Sequence, residues 1–434
     1  MKNAWAVGML MLASAGLAQI PAPVVTPAGE KLTLAQAEQM AQQRNPQIQV
    51  ARLIALAQHQ VKREAFSAEL PSLNGAVTAV NTHEGDRITA GAMNNPVIYQ
   101  RAAAGVTLTQ LITDFGRTHN LVRSADLSAQ AAASQEIATS DEIRLAVDEA
   151  FYHALAGQEI LAVANSTVAA RQATADQIGS LASAKLRSNL DMNFANVDLQ
   201  QAKLLLLNAT NDNQESQAAL NALLGNELPL AYTLIDETPA SPPPAPEDAA
   251  PLVQQAFQSR PDLAALNLQA NAAKKFSQAE RDLQRPTITA MAASGDAPVR
   301  ADQITTPWYG AAGVNMSIPI FDGFLYSARA DEAKLRAQAA DQRVLLLRQT
   351  IARDVADTVL EAQSGFQRID VSQQLLAQAD SALDLAQTRY KLGLSSIVEL
   401  TQAQLAQTQA QIEYANARYS YQVTLSELRF QTGQ

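Results

Sequence analysis

The sequence predicts an internally duplicated α+β membrane protein, in which four outer-membrane-type β-strands join two very long helical hairpins. Three observations predict it. The chain repeats itself at a constant spacing, four segments of about ten residues alternate apolar and polar side chains, and two proline-free stretches, 115–182 and 323–390, keep helical periodicity.

The repeat is the firmest of the three. Gly105-Val106 returns as Gly313-Val314, Asp114 as Asp322 and Leu127 as Leu335, each 208 residues on. Leu186/Leu394, Ser188/Ser396, Asp191/Glu399, Asn208-Ala209/Asn416-Ala417 and Gly225/Gly433 keep that register without a gap. Upstream, Asn45-Pro46 matches Arg260-Pro261 and Pro71 matches Pro286, at an offset of 215. The first copy therefore carries 215 − 208 = 7 extra residues before Gly105. Such a local length change reads as a surface loop, because packed elements resist insertion. A unit this long is no solenoid repeat. It predicts two equivalent halves packed around a pseudo-symmetry axis.

Taken in order, Met1-Lys2-Asn3, the apolar run 4–12 and small residues up to Ala18 predict a cleaved signal peptide over 1–18. That run is too short to span a bilayer, and no later stretch offers the roughly 18 apolar residues a spanning helix needs. The chain has no Cys, which excludes a lipid-anchored N-terminus, disulfides, cysteine zinc sites and a thiol nucleophile. A net charge of −10, a pI of about 5.0 and no basic cluster argue against nucleic acid.

The first structural repeat occupies 19–225. Helices are expected at 32–40 and 46–69, the second stopped by Leu70-Pro71. A strand pair follows at about 72–110: Ala102, Ala104, Val106 and Leu108 share one face, while Arg101, Ala103, Gly105, Thr107 and Thr109 share the other. A hairpin at 115–224 opens with a helix of about 68 residues, roughly 100 Å long. Leu199, Ala202, Leu206 and Ala209 mark a coiled-coil seam on its return arm. Pro239, Pro242, Pro243, Pro244 and Pro246 make 226–248 an extended linker.

The second repeat, 249–434, places its strand pair at about 287–318 and its hairpin at 323–431. Trp308, Gly310, Ala312, Val314, Met316 and Ile318 alternate with Tyr309, Ala311, Gly313, Asn315 and Ser317. Tyr99, Trp308 and Tyr309 lie beside loops rich in Gly, Asn, Asp and Pro, where an aromatic girdle would meet the membrane interface. A soluble half-buried hairpin produces the same alternation.

Nothing in the chain assembles chemistry. Asp114-Phe115-Gly116 spells a kinase triplet without its glycine loop, and Gly-x-Ser-x-Gly is absent. Glu149 and His153 have ligand spacing, yet the four histidines are scattered and none recurs in the other half. No enzyme activity and no cofactor are expected.

The stretch Arg389-Tyr390-Lys391-Leu392-Gly393-Leu394-Ser395-Ser396-Ile397-Val398-Glu399-Leu400 resembles the helix–turn–helix tip of TolC-like outer-membrane efflux proteins. Ala415-Asn416-Ala417-Arg418-Tyr419-Ser420-Tyr421 resembles their return helix, and Ser317-Ile318-Pro319-Ile320-Phe321-Asp322-Gly323 their strand-to-helix junction. Four strands cannot close a barrel, for which about eight is the minimum, and lipid tolerates no open edges. The chain must oligomerise. The resemblance implies a homotrimer in outer-membrane lipid, its twelve-stranded barrel continuous with a periplasmic helical tunnel. It implies a passive exit duct of a tripartite efflux pump or type I secretion system, serving an RND or ABC transporter of the inner membrane through a periplasmic adaptor. It also implies a periplasmic gate at Asp191, Tyr390 and Glu399, with a hydrogen bond from Tyr390 to Asp191. Adaptor docking falls on the tip turns, at Lys185, Leu186, Gly393, Leu394, Ser395 and Ser396. The chain departs from the pattern at Ser395, where some members carry a bridging Arg, at Gln402, where a second Asp is usual, and at Lys185, which replaces a turn glycine. The competing readings are solvated turn residues at the tips and, for the whole chain, a periplasmic adaptor or structural coiled-coil protein.

Overall fold

The computed structural model describes residues 31–81, 101–228, 230–239, 241–296 and 308–434. The expected signal peptide, Tyr99 and the greater part of both strand-connecting loops lie outside the described residues. The chain runs β1 (Lys31–Leu32), α1 (Leu34–Arg44), α2 (Pro46–Ser67), β2 (Ser72–Val80), β3 (Arg101–Thr113), α3 (Arg117–Ser183) and α4 (Asn189–Leu223). It continues with β4 (Thr233–Leu234), α5 (Ala250–Ser259), α6 (Pro261–Arg281), β5 (Thr287–Asp296), β6 (Trp308–Ser317), α7 (Leu325–Lys391) and α8 (Ile397–Thr432).

Local chemistry sets the boundaries. Thr33 and Gln36 form a capping box at the start of α1. Asn45 stops that helix in extended geometry, and its side chain accepts from Gln47 N at 2.8 Å to start α2, with Pro46 at the first helical position. The two halves then repeat in three dimensions. Both long helices contain 67 residues. Both are entered through two left-handed residues, Phe115 and Gly116 in the first half and Gly323 and Phe324 in the second, so the halves exchange which position is glycine.

Strand pairing follows the same rule. In the sheet order β2-β3-β5-β6 every neighbour is antiparallel. The pair Ser72↔Thr109 becomes Thr287↔Ser317 when 215 is added to the first residue and 208 to the second. Leu73, Val77, Val106, Leu108, Val314 and Met316 line one face of this sheet, all exposed. Asn74, Thr78, Thr107, Thr289 and Asn315 lie on the other. A sheet apolar on one face and polar on the other is what a lipid-facing wall requires.

Register also separates the two aromatic residues that open β6. Trp308 lies on the apolar face, but consecutive strand residues point opposite ways, so Tyr309 leaves it. Tyr309 instead folds across Gly295 and Gly105, where an added Cβ would stand 2.6 and 2.5 Å from its hydroxyl. Those glycines make room for a large ring on a narrow polar face.

The long helices pair as hairpins, α3 with α4 and α7 with α8, with α2 and α6 packed alongside. The largest core gathers Phe151, Leu155, Leu220 and Leu224 with Leu32, Ala37, Tyr232 and Leu234. The linker therefore does more than lead from one half to the next. Leu230, Tyr232 and Leu234 alternate inward, β4 pairs parallel with β1, and Asp236 accepts from Arg418 at 2.6 Å and Tyr419 at 3.0 Å. Tyr421 donates to Pro243 O at 2.6 Å. No described helix is long and apolar enough to cross a membrane.

Candidate functional site at the hairpin tips

Both tips are built alike. Lys185 and Gly393 take left-handed φ values of 61° and 73°. Around them Lys185 N bonds Ala182 O and Leu186 N bonds Leu181 O, while Gly393 N bonds Tyr390 O and Leu394 N bonds Arg389 O. These are the paired bonds that close a helix C-terminus through a left-handed residue. The return helices are capped by Ser188, accepting from Leu190 N at 3.0 Å, and Ser396, accepting from Glu399 N at 3.4 Å. Asp191 and Glu399 thus both sit in a first helical turn, where an anion is favoured.

The tips meet through an apolar cluster. Ala175 and Ile178 of α3, Ala195 and Leu199 of α4, Tyr390 of α7, and Ile397 and Leu400 of α8 are buried together. Arg187, in the first turn, lies with its guanidinium 4.4 Å above the Tyr390 ring and donates to Tyr390 O at 2.9 Å. Burial first, then the charge of Asp191, raises the Tyr390 phenol above its ordinary value, against a lowering influence of Arg187.

The expected phenol–carboxylate bond is not made. The Tyr390 hydroxyl is buried without a hydrogen-bond partner, so Asp191 reaches it through its field alone. Ring stacking by Arg187 and the surrounding apolar side chains hold Tyr390 instead. Glu399 pairs with Arg389 across 3.1 Å at the exposed end of the hairpin. Leu186, Leu190, Leu392 and Leu394 are exposed around both turns, and Ser395 keeps a buried hydroxyl with no partner.

Sequence reasoning missed Arg187. The signal was available, because Arg187 stands 208 residues before Ser395. A guanidinium absent from one turn is present at the equivalent position of the other. Also missed was a buried ion pair farther up the hairpin, Arg171 with Asp198 at 2.8 Å, whose guanidinium also donates to Thr408 of α8 at 3.2 Å. Burial lowers Arg171 and raises Asp198 despite their attraction.

Comparison with known proteins agrees with this architecture. A model of the outer membrane efflux protein family matches residues 37–226 and 252–434, leaving out the linker. The cobalt-zinc-cadmium resistance protein CzcC of Cupriavidus metallidurans is 26% identical over 360 residues, which is 79% of this chain and 82% of that protein. The outer membrane protein TolC of Escherichia coli is 22% identical over 417 residues, 92% of this chain and 82% of that one. In fold, the crystal structure of the Campylobacter jejuni CmeC outer membrane channel matches with a TM-score of 0.80 at 16% identity, covering 92% of this chain and 85% of that one. With both halves matched on either side of the linker, the chain belongs to the outer membrane efflux protein family.

Proposed function

We propose that three copies of this chain form a passive exit duct through the outer membrane, reached by a cleaved, non-lipidated precursor. The observation that carries it is the four-stranded sheet, apolar on one face and open at β2 and β6, continuous with two 67-residue helices. Three such sheets supply twelve strands, enough to close a barrel. Helices of this length reach roughly 100 Å away from it. Energy then comes from an inner-membrane RND or ABC transporter, coupled through a periplasmic adaptor that docks on the turn residues Lys185, Leu186, Gly393, Leu394, Ser395 and Ser396. Family membership across both halves favours this over an adaptor or other coiled-coil protein. Efflux is favoured over polypeptide secretion by the relative CzcC, whose name records metal resistance.

At the far end the tips act as the gate. Arg187 braces Tyr390, Asp191 adds its field, and Glu399 contributes a ring of carboxylates that favours cations. A stacked guanidinium contributes about 0.5–2 kcal/mol, and three copies bias the entrance towards closed. In planar bilayers Arg187→Ala is expected to raise single-channel conductance, and Glu399→Ala to lower cation preference. Tyr390→Phe should leave conductance unchanged, because its hydroxyl has no partner to lose. If Arg187→Ala and Glu399→Ala both behave as wild type, the tips are ordinary turns. A monomeric mass for the detergent-extracted protein would sink the duct itself.

A further inference from the structure

The first half buries a group of charges that the second half lacks. Glu38 of α1, Asp141, Arg144 and Asp148 of α3, and Arg429 of α8 line one cavity of about 260 Å³. Their counterparts across the repeat are Val253, Gln349, Ala352, Ala356 and Asn221, none of them charged. The packing around them is nevertheless the same. Ala41 of α1 shares a core with Ile143 and Val147, and Ala256 of α5 shares one with their counterparts Ile351 and Val355. Apolar residues therefore suffice to seat this short helix on the long one, and charge placed there costs desolvation that the fold does not require.

Two carboxyls meet in that cavity. Asp148 is 4% exposed, and its Oδ1 is buried with no N–H or O–H donor among the described residues. The Glu38 side chain lies within hydrogen-bond reach of the Asp148 side chain. Two carboxylates cannot bond each other, whereas a protonated carboxyl donates to a carboxylate. Burial first, then the hydrogen bond and charge of Asp148, raises Glu38 to about 7, with Arg144 and Arg429 opposing. Asp141, raised by burial, faces Arg144. Glu149 and Tyr152 of α3 also feel the charge of Asp148, and Tyr152 that of Asp236 in the linker.

We propose that Glu38 and Asp148 form a proton-binding site that clasps α1 to α3, closed while one proton lies between the two carboxyls and loosened when it leaves. Protonated, Glu38 donates to Asp148 and satisfies its buried oxygen. Deprotonated, the two carboxylates confront each other away from water, a like-charge pair that a shared site disfavours. Lifting α1 relieves it, and little else holds that helix, since β1 before it pairs with β4 through only two residues. Segments with few bonds to the rest of a fold are those that open locally. The site lies within one chain and stands apart from the duct proposed above.

With Glu38 at about 7 when clasped and at 4.5 when released, opening of α1 should rise about tenfold between pH 6 and pH 8. Amide hydrogen exchange of the full-length protein in detergent, corrected for the intrinsic rate at each pH, reads this as an equal loss of protection across residues 34–44. The second half supplies the control: α5, with Val253 and Ala356 at the same contact, should lose less than about twofold. Glu38→Gln donates an amide proton to Asp148 at either pH, and Asp148→Asn donates one to an ionised Glu38. Each should hold the loss in α1 below about threefold. A thermal melt at pH 6 establishes that each variant is folded, and one folded variant is enough to decide. The clasp is overturned if wild-type α1 keeps its protection at pH 8, if α5 loses as much as α1, or if a folded variant loses as much as wild type.

Discussion

At the scale of single residues, the most instructive position is Lys185. Its counterpart Gly393 occupies a left-handed turn at no steric penalty, whereas Lys185 adopts nearly the same φ with a Cβ. A non-glycine residue there costs about 1–2 kcal/mol, partly offset by the stiffer unfolded chain. Lys185→Gly should stabilise the first tip by about 1 kcal/mol, seen as slower amide hydrogen exchange in residues 181–192. Unchanged exchange would mean the turn relaxes around the lysine. The left-handed turn was readable from the repeat alone. Arg187 on Tyr390 was not, because residues 203 apart in sequence meet only through the relative twist of two hairpins.

Glu38 offers a second test at this scale. Burial first, then a hydrogen bond and the charge of Asp148, raises its carboxyl from 4.5 to about 7, with Arg144 and Arg429 opposing. The folded chain thus holds a proton that the unfolded chain releases above about 4.5. Its contribution is full below that pH and is lost as pH rises through about 7. Glu38→Gln should therefore shrink the fall in Tm between pH 5 and pH 8. An identical fall in both proteins would place the pH sensitivity elsewhere.

Among the elements, the two hairpins match closely in length but not in their buried ion pairs. Arg171 and Asp198 join α3 to α4 and reach Thr408 of α8, while their counterparts Ala379 and Ala406 carry no charge. Removing one member of a buried pair strands the other, at about 3–5 kcal/mol. Asp198→Ala should lower the thermal midpoint of the purified protein sharply, and Arg171→Met added to Asp198→Leu should restore most of the loss. Equal midpoints for Asp198→Ala and wild type would show the guanidinium rehydrating freely. The long helices were legible because two stretches lack proline over many turns. β1 and β4 were not, since two residues each are too few for any period, and Tyr232 and Leu234 were hidden among prolines.

For the whole molecule, duplication was the part of the fold most fully written in the sequence. Two offsets read from matching residues became two strand registers and two tip turns closed by the same backbone bonds. Less of the candidate site was legible. Asp191, Tyr390 and Glu399 could be placed by the repeat and by resemblance, but the partner of each depends on side-chain rotamers that periodicity does not encode. Trp308 and Tyr309 open β6 on opposite faces, since neighbouring strand residues cannot share one.

The linker between the halves, docked by β4 against β1, bears on how such a ring comes together. In the proposed trimer, half of the six joints between sheet pairs are tethered within one chain. Strands carried on one chain meet at an effective concentration set by the chain and not by copy number, so those joints form at any expression level. Only the β6–β2 joints depend on how many copies reach the membrane. Assembly is then a three-body encounter of prepaired units instead of a six-body one, and scarcity of the protein slows ring closure without scrambling the order of its strands.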